Sequence, residues 1–118
     1  MFPRALVVQS CPEAAATIEA SLVEAGWQAI VVADGMAAAR EIDTWAPDVV
    51  LVDLTLPPLD GWFVLAAVGA RPDRPLLVAR VSDASEVERA IALGADAWVD
   101  RDVHVVVAAG KLVPAIAA

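Results

Sequence analysis

The chain has 118 residues, the size of one domain, and 59% of them are hydrophobic, many of them alanine. Its longest uncharged stretch, 61–70, is about half of what a membrane-spanning helix needs, and its N-terminus turns polar too early for a signal peptide. Eight basic against sixteen acidic side chains give a net charge of −8, which repels nucleic-acid phosphates and suits contact with basic or apolar protein surfaces.

The single cysteine, Cys11, excludes an internal disulfide and fits a reducing cytoplasm. With only one histidine beside it, a metal site of nitrogen and sulfur ligands is excluded as well. We therefore expect a cytoplasmic protein that forms one domain over 1–118, with no membrane contact and no nucleic-acid binding by this domain.

Five short apolar runs alternate along the chain with segments of helical period. The runs are rich in consecutive valine, isoleucine and leucine, as in strands that are buried on both faces of a parallel sheet. The strands are predicted, in chain order, at Ala5–Val8, Gln28–Val32, Val49–Val52, Leu76–Val78 and Ala97–Val99.

A helix is predicted after each strand. In chain order the helices run from Pro12 to before Gly26, over Met36–Trp45, from Asp60 or Gly61 to Ala70, from Asp83 to Gly94, and from Asp102 onward. The fourth begins with the spacing of a capping box, Asp83 to Glu86, and is expected to bury Val87, Ala90 and Ile91. The fifth is predicted although valine is a poor helix former.

These five strand–helix units predict an α/β fold, a single doubly wound five-stranded parallel sheet with five helices and flavodoxin-like topology. Sites in such sheets form at the carboxyl ends of the strands, near the point where the strand order reverses. The residues there are Gln9, Ser10, Ala33, Asp34, Asp53, Arg80, Asp100 and Arg101.

Asp53 ends the third predicted strand and is the first candidate for chemistry. A carboxylate there can act as a nucleophile or bind an ion. Aspartate is also a favoured first residue of a turn, so Asp53 by itself fits either role.

The stretch from Pro47 to Gly61, with Asp53 and Pro57 inside it, resembles the receiver domain of bacterial two-component response regulators. The turn Gly94-Ala-Asp96 before the last strand fits as well, and the resemblance covers 4 to about 113. It implies a module that accepts a phosphoryl group from a histidine kinase with the help of Mg²⁺. The surface of the fourth helix, fifth strand and fifth helix would then recruit a partner protein or a second copy, or act on a fused output domain.

The resemblance assigns three positions directly. Asp53 takes the phosphoacceptor position, Thr55 the position whose backbone carbonyl binds Mg²⁺, and Trp98 that of the switching aromatic. Trp98 is equally compatible with plain packing in a chain that has few bulky side chains.

The remaining positions of the pocket depart from the family. Gln9 and Ser10 replace the acidic pair, Arg80 replaces the hydroxyl residue after the fourth strand, and Arg101 replaces the lysine. In the family, three carboxylates, one divalent ion and one lysine cancel in charge. Here Asp53 with two arginines carries +1 before any metal binds, if both arginines point inward; Arg80 can equally point outward into solvent.

This charge count predicts absent or weak Mg²⁺ binding, because one ion pair at 4 Å is worth about 4 kcal/mol at an effective dielectric near 20. The favoured hypothesis is an atypical receiver in which Arg80 or Arg101 pairs with Asp53 and imitates a fixed signalling state. It would act by protein–protein interaction, and the valine run at 103–107 predicts exposed apolar surface for that contact.

Two alternatives stand beside this hypothesis. In the first, Asp53 is a functional phosphoacceptor for a histidine kinase, since arginine forks bind phosphoryl oxygens well. In the second, the chain is an aspartate-nucleophile phosphatase. Such an enzyme needs a second acid two residues after the nucleophile, where Thr55 stands, so no enzymatic activity is expected.

Overall fold

A computed structural model describes residues 2–54 and 61–100, in which strands and helices alternate. The elements are β1 (Arg4–Val8), α1 (Pro12–Glu24), β2 (Gln28–Val32), α2 (Gly35–Trp45), β3 (Val49–Asp53), α3 (Gly61–Gly69), β4 (Leu76–Val81), α4 (Ala84–Ala92) and β5 (Ala97–Asp100). The predicted fifth helix, with its valine run, lies outside the described residues. None of the described helices has the length and hydropathy of a membrane span.

The five strands form one parallel sheet in the order β2-β1-β3-β4-β5, which confirms the predicted flavodoxin-like sheet. The order reverses beside β1, because the chain first adds β2 on one side and then β3 on the other. Val8 pairs with Val52, so the residues that follow these two strands lie next to each other at the carboxyl edge. This reversal is where ligands bind in open α/β sheets.

Hydrophobic cores lie on both faces of the sheet. One face packs α2, α3 and α4 against β residues such as Leu6, Val52 and Leu77. The other packs α1, through Ile18 and Leu22, against alternate residues of the same strands. Burial on both faces is why the strands read as continuous apolar runs and show no apolar–polar alternation.

β4 is longer than its apolar run predicts. It continues to Val81, so Arg80 lies inside the strand and pairs in register with Asp53. An arginine is uncommon in a central strand, and the prediction therefore ends at Val78, before the arginine. The correction matters because it places the two side chains on neighbouring strands at the same height.

The start of α4 is as predicted. The Asp83 carboxylate accepts hydrogen bonds from the backbone N–H groups of Ser85 and Glu86, and the Glu86 carboxylate accepts from the Asp83 N–H, which completes the capping box. The prediction that Ile91 is buried is wrong, since Ile91 is 53% exposed. Neighbouring residues lie about 100° apart around a helix, so burying Ala90 turns Ile91 towards the surface.

The ends of α3 and α4 touch backbone to backbone. A Cβ atom at Gly69 would lie 2.2 Å from the Leu93 carbonyl oxygen, and one at Gly94 would lie 2.9 Å from the Gly69 Cα. Gly94 also has a φ of +114°, which disfavours any side chain. Glycine at both positions therefore lets α4 lie directly against α3.

An ion pair connects the segment before β4 to the turn before β5. The Arg74 guanidinium donates to both carboxylate oxygens of Asp96, at 2.6 and 3.0 Å, and the Leu77 N–H donates to Asp96 at 2.8 Å. The hydrogen bond from Arg74, together with that from Leu77, lowers the pKa of Asp96 below its ordinary value.

Replacing Asp96 by asparagine is expected to weaken the acid dependence of stability. The pKa of Asp96 is lower in the folded chain than in the unfolded chain. Its contribution to the free energy of unfolding is therefore fully present above the unfolded pKa, about 3.9, and is lost as the pH falls through the folded pKa. Urea unfolding of Asp96→Asn should show a loss of about 1 kcal/mol at pH 7 that shrinks as the pH falls below about 4. Asp73→Asn, an exposed change next to Arg74 in the connection between α3 and β4, is the control; equal pH profiles for wild type and Asp96→Asn would contradict the prediction.

Candidate functional site at the carboxyl edge of the sheet

Asp53 is the buried centre of the carboxyl edge. Its side chain is 1% exposed although Asp53 is the last residue of β3. β3 lies between β1 and β4, so residues from both neighbouring strands can reach the carboxylate. The site is built from these three strands.

Gln9 reaches Asp53 from the end of β1. Its Nε2 donates a hydrogen bond of 2.7 Å to Asp53 Oδ2, and its Oε1 accepts one of 3.1 Å from the Cys11 N–H. Gln9 is itself 2% exposed. Because the amide oxygen is used by a backbone donor, the amide nitrogen must face the carboxylate.

Arg80 reaches the same oxygen from β4. Its Nη1 lies 3.3 Å from Asp53 Oδ2, within hydrogen-bonding and ion-pairing distance, and its side chain is 16% exposed. Of the two orientations that the sequence left open for Arg80, the structure has the inward one. Two nitrogen donors, one of them charged, thus converge on a single oxygen of Asp53.

Of the remaining predicted pocket residues, Ser10 lies within the described part of the chain. Ser10 is partly buried beside Gln9, and within the described part of the chain it makes no hydrogen bond with Asp53. Thr55 and Arg101 lie outside the described residues, so an ion pair between Arg101 and Asp53 stays a prediction.

Trp98 lies on β5, away from this contact. It is 41% exposed, which does not fit the role of a core filler. Its side chain instead lines a surface cavity of about 330 Å³ together with residues of α4.

The donor set at Asp53 offers little to a cation. Hard divalent cations require several oxygen ligands, with carboxylates supplying the charge. Within 2–54 and 61–100, no group of three or more histidine, cysteine, aspartate or glutamate side chains converges. At this edge one carboxylate faces an amide nitrogen and a guanidinium, and the arrangement fits a closed ion pair.

Sequence reasoning missed two contacts. It treated Gln9 only as a lost acid, whereas the side chain is a hydrogen-bond donor to Asp53; the pairing of β1 with β3 was the available signal, because it brings the two strand ends together. It also missed the Arg89 guanidinium stacked 4.2 Å from the centre of the Trp62 ring, which joins α4 to α3.

Comparison with known proteins identifies relatives of similar sequence. The sensory transduction protein RegX3 of Mycobacterium tuberculosis is 35% identical over 98 residues, which cover 81% of this chain and 43% of RegX3. The chain thus spans less than half the length of the curated relatives it matches. No protein-family model matches the chain.

Solved structures share the fold across nearly the whole chain. The signal receiver domain of a signal transduction histidine kinase from Syntrophus aciditrophicus has a TM-score of 0.84 at 25% identity, covering 98% of this chain and 90% of that one. A putative response regulator from Chloroflexus aurantiacus has a TM-score of 0.88 at 22% identity, covering 98% of both chains. The second likeness is evidence for the fold alone.

Proposed function

The chain belongs to the receiver domains of response regulators in two-component signalling, and on that premise we propose that it is an atypical receiver that acts by protein–protein interaction, without Mg²⁺-dependent phosphorylation of Asp53. The partners proposed for it are a histidine kinase, an output domain or a second copy. No catalytic activity of its own is part of the proposal.

The observation that carries the proposal is the convergence of Gln9 Nε2 and Arg80 Nη1 on Asp53 Oδ2. The family's Mg²⁺ would need oxygen ligands from an acidic pair after β1. Here the residue that faces Asp53 from β1 presents an N–H group, which cannot bind a cation. The residues present therefore do not fit the metal.

The positive charge of Arg80 also opposes Mg²⁺ binding. A guanidinium that contacts Asp53 repels an incoming cation, and at an effective dielectric near 20 two unit charges 4 Å apart interact by about 4 kcal/mol. The repulsion is larger for a divalent ion. Within residues 2–54 and 61–100, no cluster of three metal-ligating side chains is present to offset this repulsion and the dehydration of Mg²⁺.

Phosphoryl transfer to Asp53 is also disfavoured without the divalent ion. The reaction relies on positioning and on positive charge at the phosphoryl oxygens, much of which Mg²⁺ would supply. Gln9 and Arg80 both donate to Oδ2, and these two hydrogen bonds stabilise the negative charge of the carboxylate and so weaken it as a nucleophile.

A second candidate function is metal-free phosphorylation of Asp53 by a histidine kinase. It is supported by the inward position of Arg80, because a guanidinium can bind phosphoryl oxygens through two parallel hydrogen bonds. The two candidates differ in whether Asp53 ever carries a phosphoryl group.

Incubation with acetyl phosphate distinguishes them. We expect intact-mass spectrometry to show no phosphoryl adduct on the wild-type chain, with or without Mg²⁺. Asp53→Ala is the matched control for modification elsewhere. An adduct on wild type that is absent from Asp53→Ala would overturn the proposal, and its persistence in EDTA would establish the metal-free alternative.

A further inference from the structure

Among the described helices, α4 buries the fewest side chains. Ala90 is its single buried residue, whereas α1, α2 and α3 each bury two or more. Val87 and Leu93 are only partly buried where they pack against the core. Elements that bury few apolar groups open locally more readily than the rest of a fold. Contacts outside the core should therefore decide how firmly α4 is held.

One such contact joins α4 to the first turn of α3. The Arg89 guanidinium lies over the Trp62 ring, 4.2 Å from its centre, where the electrons of the indole attract a cation. Arg89 makes no ion pair with any residue of 2–54 and 61–100. Glu86, the carboxylate one turn before it, already accepts hydrogen bonds from Ser82 and Asp83 at the start of the helix. The guanidinium is thus placed by the aromatic ring and not by a carboxylate.

The end of β3 supports Trp62 from below. Trp62 follows Gly61, where a Cβ atom would lie 2.3 Å from the Asp53 carbonyl oxygen and 2.9 Å from the Leu54 Cα. Glycine at this position lets the first residue of α3 lie directly on the backbone of the sheet. Trp62 is also packed against the core, so Arg89 connects α4 to a well-fixed point of the fold.

The contact of Gly69 with Gly94 provides a second attachment at the other end of α3. Trp62 and Gly69 are about two helical turns apart on α3. Two attachments at that spacing hold α4 in place better than one, because a movement that keeps the first contact must break the second.

From these contacts we infer that Trp62 and Arg89 form a clamp that holds α4 in one position on α3. The inference goes beyond the proposed function, because it concerns the mobility of α4 and does not depend on whether Asp53 carries a phosphoryl group.

Hydrogen exchange of the whole ¹⁵N-labelled chain, followed by NMR, tests the clamp. Arg89→Met removes the cation and keeps a long side chain, and Trp62→Leu removes the ring. Each change is expected to accelerate exchange of the α4 amides at 88–92 about two- to fivefold, the factor that corresponds to the loss of one cation–π contact. The amides of α1, which packs on the other face of the sheet, should keep their wild-type rates.

The double variant separates a clamp from two independent contributions. Each single change already breaks the same contact, so adding Arg89→Met to Trp62→Leu should leave the α4 rates nearly unchanged. Arg89→Lys retains the cation and should retain most of the protection. Arg40→Met, an exposed arginine of α2, is the matched control for the loss of one positive charge and should not alter α4.

Three outcomes would overturn the inference. Multiplication of the two single factors in the double variant would mean that Trp62 and Arg89 act separately. Equal acceleration in α1 and α4 would mean a loss of overall stability, and wild-type rates in Arg89→Met would mean that the contact does not hold α4. The acetyl phosphate measurement is separate, so none of these outcomes changes the conclusion about Asp53.

Discussion

An Arg80→Met variant is expected to lose about 2–3 kcal/mol of unfolding free energy at pH 7, and Asp53→Asn less than about 1 kcal/mol. Asp53 is 1% exposed, so removing its cationic partner leaves a buried anion less compensated. Arg80 is 16% exposed and can turn its guanidinium to solvent when the carboxylate is neutralised. In Asp53→Asn, the amide oxygen of the new side chain would still accept the hydrogen bond from Gln9.

Urea unfolding of the two variants and of the wild type measures this asymmetry. Arg40→Met, on the exposed side of α2, is the control for loss of one positive charge and should change stability by less than about 0.5 kcal/mol. Arg80→Met as stable as Arg40→Met would show that the pair does not compensate Asp53, and the charge argument against Mg²⁺ would lose its basis.

The triple variant Gln9→Asp/Ser10→Asp/Arg80→Thr is expected to gain Mg²⁺ binding and phosphorylation, both of which we propose to be absent from the wild type. It restores oxygen ligands after β1 and removes the guanidinium from Asp53. Without metal the variant should be less stable than wild type, because three carboxylates then repel one another. Mg²⁺ at tenfold excess over its dissociation constant should return about 1.4 kcal/mol.

Thermal unfolding in MgCl₂ and in NaCl of equal ionic strength isolates the metal effect, and acetyl phosphate with Mg²⁺ tests the acceptor. The same triple variant with Asp53→Asn added is the control and should gain neither property. A wild-type chain that already shows the full Mg²⁺-dependent shift would refute the view that these three substitutions account for the lost site.

The sheet was predictable because strands that are buried on both faces appear in the sequence as runs of valine and leucine. The predicted strand bounds were wrong where a polar residue continues a strand. Arg80 extends β4 because its backbone pairs with β3 and its side chain forms an ion pair with Asp53. The prediction that Ile91 is buried was wrong because α4 presents only a narrow face to the core, and an apolar side chain beside that face stays at the surface.

That Gln9, Asp53 and Arg80 lie together was predictable in the same way, since the strand ends of a parallel sheet share one edge. The hydrogen bonds between them were not predictable. Whether Arg80 points inward depends on a buried carboxylate one strand away, and the direction of the Gln9 amide depends on the Cys11 N–H. Both orientations depend on contacts that form only in the packed structure, and no local sequence pattern predicts them.

The contact of Gly69 with Gly94 restricts how the cavity beside Trp98 can change shape. With backbone against backbone and no room for a methyl group, the C-terminal end of α4 has little freedom to slide along α3. We therefore expect any rearrangement of α4 to be a swing about that end, with the greatest travel at the opposite end, where Asp83 lines the cavity. The width of the cavity beside Asp83 would then depend on a pivot at the far end of the helix.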